Sequence, residues 1–161
     1  MKATRILAAV AALSFVGAAS AFAQTATQTV TVQVDAINQI SVSGSPSLLI
    51  NAAVAGNAPT TVTTSGATWA ITTNQSNAKV TASIASAMPT GLTLSATLSA
   101  PAGATSTGAK ALGAGGVDLV TGITKLNASG LGLTYSLDAT AAAGVVSSAS
   151  RVVTFTITGG V

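Results

Sequence analysis

Apolar residues in this chain recur at every second position, in one short run after another. Val30, Val32 and Val34 alternate with Thr29, Thr31 and Gln33. Trp69 and Ile71 alternate with Thr68 and Thr72, and Val80, Ala82 and Ile84 with Lys79, Thr81 and Ser83. Leu92, Leu94, Ala96 and Leu98 repeat the device, as do Leu131, Leu133, Tyr135 and Leu137, then Val153, Phe155 and Ile157. Successive side chains of a strand point to opposite faces, so each run offers one apolar and one polar face. A helix would scatter the same residues around its axis.

The punctuation agrees with the runs. Ile40 and Val42 precede a predicted turn at Gly44-Ser45-Pro46, and the continuous run Leu48-Leu49-Ile50 predicts a strand buried on both faces. A loop at Gly56-Asn57-Ala58-Pro59, a strand over Thr61 to Thr64 and a turn at Ser65-Gly66 follow. Further turns are expected at residues 74–77 and at Met88-Pro89-Thr90-Gly91, where proline presets φ and glycine supplies a positive one. Pro101 to Gly108 reads as a loop, and Ala111-Leu112 to Val120 as a short edge strand. The alanine-rich stretch from Ala139 to Val146 is interrupted by Gly144, so a loop or one helical turn is expected. Eight or nine strands at spacings near ten residues predict an all-β, antiparallel two-sheet sandwich.

The first residues have a different character. Met1-Lys2-Ala3-Thr4-Arg5 is basic, Ile6 to Val16 is apolar, and Ala21-Phe22-Ala23 offers small residues in an A-x-A arrangement. These are the three parts of a secretory signal peptide, with cleavage expected after Ala23. The apolar run is well short of the ~20 residues that span a bilayer as a helix. With no cysteine, a lipid anchor on that residue is excluded. The expected organisation is a leader over residues 1–23 and one β-sandwich domain over 24–161.

Composition bounds the mature part. About 138 residues make one domain able to bury a sizeable core. Ser and Thr make up roughly 30% of it, and charge is sparse, so strand ladders over an apolar core are favoured over disorder. Lys2 and Arg5 leave with the leader. Lys79, Lys110, Lys125 and Arg151 then face Asp35, Asp118 and Asp138, and the net charge falls from +3 to +1. The basic isoelectric point belongs mainly to the precursor, so it predicts no nucleic-acid or membrane-surface partner.

Several stretches resemble small secreted bacterial proteins with an immunoglobulin-like (Ig-like) sandwich, mostly uncharacterised. The likeness is carried by Ala67-Thr68-Trp69-Ala70-Ile71-Thr72-Thr73-Asn74, Lys79-Val80-Thr81-Ala82-Ser83-Ile84 and Met88-Pro89-Thr90-Gly91-Leu92-Thr93-Leu94. It continues in Leu133-Thr134-Tyr135-Ser136-Leu137-Asp138-Ala139-Thr140 and Arg151-Val152-Val153-Thr154-Phe155-Thr156-Ile157-Thr158. The resemblance implies an Ig-like topology and an extracellular setting. Trp69-Ala70-Ile71 is faintly similar to the WxL cell-wall-binding domains, with isoleucine at the third position and no second copy. Neither likeness carries over a catalytic residue.

Chemistry is thin. Without histidine or cysteine the chain cannot form a Ser-His-Asp or Cys-His arrangement. The three aspartates sit near expected turns or strand ends, where a carboxylate more often serves the backbone than a carboxylate pair. In Gly103 to Lys110 an alanine separates the second glycine from the lysine, unlike a phosphate loop. Calcium would have only Asp35 with Asn38, or Asp118 with nearby carbonyls, and zinc has no ligands. The sequons at Asn74 and Asn127 have no expected use in a bacterial-looking precursor.

No catalytic, cofactor-binding or metal site is therefore expected, nor an enzyme. The expected role is that of a secreted structural protein, at the cell surface or in the matrix, with the periplasm as an alternative destination. Its expected partner is itself, through pairing of the alternating segment Gln24 to Val34 with a neighbour's sheet edge and growth into filaments. The alternative is an adhesin or carbohydrate-binding module whose partners are other surface proteins or glycans. That alternative needs an exposed aromatic platform, whereas Trp69, Tyr135 and Phe155 share the inward register of their strands.

Overall fold

The alternating runs become strands where a partner completes their hydrogen bonding. The computed structural model describes residues 23–160, and the expected leader lies outside these residues except for Ala23. The chain divides into two compact units after Gln33. In the first unit, the described residues 23–33 form no strand and are exposed. The second unit is all-β apart from a 3-10 turn at Ala141–Ala143.

Among the described residues, nine strands form two antiparallel sheets. They are β1 (Asn38–Ser43), β2 (Val62–Thr73), β3 (Ala78–Ile84), β4 (Leu92–Leu98), β5 (Thr105–Ser106), β6 (Lys110–Ala111), β7 (Val117–Ile123), β8 (Leu126–Ala139) and β9 (Val153–Thr158). The five-stranded sheet runs β1-β2-β8-β4-β6 and the four-stranded sheet β5-β7-β3-β9. Trp69, Ile71, Leu94, Leu98, Leu133 and Tyr135 of the first share one buried cluster with Val80, Ile84, Leu119, Val120 and Ile123 of the second. Burying such aliphatic side chains contributes roughly 1.5–3 kcal/mol each before chain entropy is subtracted.

Several expectations are corrected. Val30, Val32 and Val34 form no strand, despite their alternation, and are 71%, 85% and 79% exposed. Period two is necessary for a half-buried strand, but only a ladder partner makes one. Leu48-Leu49-Ile50 likewise forms no strand, with Leu49 exposed rather than buried.

The predicted turn at Ser65-Gly66 is a β-bulge inside β2. Thr64 pairs with Tyr135 and Ala67 with Leu133, which leaves one extra residue on β2. Gly66, at φ +99, takes the conformation that the extra residue demands. The expected strands at Thr61–Thr64 and Trp69 are thus one strand.

The stretch from Ala111 to Val120 is not one edge strand. It splits into β6, on the rim of the five-stranded sheet, and β7, between β5 and β3 in the other. The loop predicted over residues 101–108 includes β5. Before β4, the turn closes through the Leu92 amide donating to the Pro89 carbonyl, so proline stands first in the turn rather than second. Gly91 (φ +80) is required there twice over, since a Cβ would also lie 2.8 Å from the Ala143 nitrogen.

Candidate functional site

The candidate chemistry lies scattered. Asp118 on β7 pairs with Lys79 on β3 at 3.0 Å, with both side chains nearly half exposed. Such a pair is worth at most about 1 kcal/mol. Asp138 on β8, in the other sheet, accepts a hydrogen bond from the Thr61 hydroxyl. The backbone carbonyl of Asp35 accepts from the Asn74 amide at 2.7 Å. Asn38 Oδ1 is taken by the Thr73 hydroxyl. Among the described residues, no three of His, Cys, Asp or Glu group as metal ligands.

Residues 103–110 do not lead from a strand into a helix. The Ser106 and Thr107 hydroxyls donate to the carbonyls of Leu98 and Asp118, each at 2.6 Å, so this stretch spends these polar groups on the backbone of β4 and β7. Asn127 is exposed on β8. Asn74 is a clip: its Nδ2 donates to the Asp35 carbonyl and its Oδ1 accepts from the Ile37 amide at 2.8 Å. It thereby fixes where the chain enters β1.

Among the described residues, the aromatic side chains offer no exposed platform. Trp69 and Tyr135 are buried and Phe155 is half-buried. Burial pushes the Tyr135 phenol above its ordinary value near 10. Unfolding returns it to that value, so as pH rises the unfolded chain loses the proton first. This contribution is therefore intact below pH ~10 and is lost as pH climbs through the folded-state value. We expect thermal melts at alkaline pH to show a stability loss that Tyr135→Phe removes. Tyr135 is the sole tyrosine, so phenolate absorbance reports this group alone.

A groove of about 800 Å³ lies at the end of the five-stranded sheet where β4 begins and β8 ends. It follows from unequal strand lengths. β2 and β8 have 12 and 14 residues, whereas β3, β7 and β9 have seven, seven and six. At roughly 3.3 Å per residue the long strands outreach the facing ones by some 15–25 Å. Leu92, Leu137 and Ala139 line the groove, and no strand of the four-stranded sheet does so.

Two segments outside the named strands line it instead, residues 47–53 and 146–151. Among the described residues, the backbone of residues 47–51 and of 145–149 makes no hydrogen bond. Leu48 and Ile50 are half-buried while Leu49 between them is exposed. Arg151 is the charged residue of the lining, and its Nε is buried without a hydrogen-bond partner.

This groove was not legible in advance. Its walls contain the run Leu48-Leu49-Ile50, whose continuous apolar character pointed to a core strand. Residues 146–151 show no apolar alternation and gave no sign of a wall.

No family model matches the chain, and no curated protein or solved structure matches it either. Among the described residues, no helix is long and apolar enough to cross a membrane.

Proposed function

We propose that this chain is a secreted structural protein of the cell surface or extracellular matrix, an Ig-like sandwich that assembles with its own copies by strand addition. Export rests on the leader over residues 1–23, with its basic start, apolar run and A-x-A site. The observation that carries assembly is the state of Val30, Val32 and Val34. Three β-branched residues lie on alternate positions, are exposed to water, and belong to no described strand. Burying them against a second subunit would remove apolar surface from water and add ladder hydrogen bonds along the segment.

A copy that gives its segment to the next and receives one from the previous forms a heterologous contact, which grows without closing. A mature net charge of +1 opposes such growth only weakly. A carbohydrate-binding module, the alternative, finds less support, because Trp69 and Tyr135 are both buried.

Sedimentation of the purified chain from Gln24 onward over rising concentration tests the proposal, beside electron microscopy of secreted material labelled for it. Concentration-dependent polymers and labelled fibres are expected. A chain that stays monomeric throughout, with no labelled fibres, overturns it.

A further inference from the structure

The geometry points to the groove at the end of the five-stranded sheet as the acceptor for residues 24–34 of a second copy, an assignment that rests on the self-assembly proposed above. Exposed large apolar side chains concentrate in two places. One is the segment carrying Val30, Val32 and Val34. The other is the pair of groove walls and their margins, with Leu49, Val54, Val145, Val146 and Val152. A single chain thus presents both an alternating apolar strand and an apolar cleft.

The backbone supplies the second argument. Within the walls, residues 47–51 and 145–149 leave consecutive N–H and C=O groups without protein partners among the described residues, as a sheet edge does. An entering strand would pair with them along its length while its valines met Leu48, Ile50 and Leu137. The unpartnered Arg151 Nε–H would gain a backbone carbonyl of that strand as acceptor.

Charge supplies the third argument. Residues 24–34 carry no charged side chain, and the groove lining carries one, so little charge needs to be desolvated. Eleven extended residues span roughly 35 Å, enough to run the length of either wall.

The native chain has no cysteine, so cross-linking can test the assignment directly. A tagged population bearing Val32→Cys is mixed with untagged Ile50→Cys or Ala149→Cys, one on each wall, and oxidised mildly. Thr154→Cys, exposed on β9, serves as control. Sedimentation confirms that each variant assembles as the parent does. The expected result is a mixed dimer with at least one wall variant, at about ten times the control yield, reflecting the high effective concentration of docked segments. Assemblies that form normally but couple neither wall variant overturn the groove assignment and leave self-assembly standing. Preferential coupling to Thr154→Cys does the same, placing the added strand on the β9 edge. A parent chain that fails to assemble overturns both.

Discussion

Trp69→Ala is expected to remove about 3–5 kcal/mol of stability, a large part of the roughly 5–15 kcal/mol available to a domain of this kind. Trp69 is 1% exposed. It lies across from Val42 on β1 and Leu131 on β8, within the core shared by both sheets. Its indole N–H donates to the Ser99 carbonyl at 3.2 Å. Truncation would leave a cavity between strands and strip that carbonyl of the indole donor.

Trp69→Phe, which keeps a ring and loses only the donor and some volume, should cost distinctly less. Denaturant midpoints for the two variants measure the difference. A loss below about 1 kcal/mol for the alanine variant would contradict the buried placement. As Trp69 is the sole tryptophan, native emission should also be blue-shifted and resist soluble quenchers. A readily quenched indole would restore the sugar-platform alternative.

Deleting residues 24–34 should have the opposite profile, abolishing assembly while leaving the fold intact. Val30 and Val32 are exposed, and no described strand includes any residue of this segment. The ladders and the core begin later, with β1 held in place by Asn74 through Asp35 and Ile37. The melting temperature of the deletion variant should therefore stay within a few degrees of the parent, since surface changes of this kind stay near 0.5 kcal/mol. Its sedimentation should show monomer alone at concentrations where the parent polymerises. Unfolding of the variant would instead make the segment an essential strand of its own subunit. Val30→Asp with Val32→Asp gives the same separation without shortening the chain, because a buried unpaired carboxylate is strongly disfavoured.

Much of the β architecture was legible because both faces of a core strand leave a mark on sequence. Val80, Ala82 and Ile84, like Leu94, Ala96 and Leu98, are buried at every second position as their alternation required. The turn at residues 74–77 separates β2 from β3 as its composition predicted, and the alanine stretch holds one 3-10 turn. What misled was treating pattern as pairing. Residues 30–34 alternate as clearly as β9 does, yet β9 has β3 beside it and residues 30–34 have no ladder. Leu48-Leu49-Ile50 matches a buried strand in composition but lies where the facing sheet has ended. The bulge at Gly66 escaped for a related reason, since glycine after serine marks a turn and a bulge alike.

The sequence alone thus determined an all-β chain, the inward side of most strands, and the poverty of conventional catalytic groups. These are local properties, written in residue type and in a period of two. The tertiary structure decided which runs found partners, which strands shared a sheet, and where one sheet outran the other. The groove exists because β2 and β8 are about twice as long as the strands that face them. A length mismatch between segments distant in sequence leaves no trace in either segment, and only their packing together exposes it.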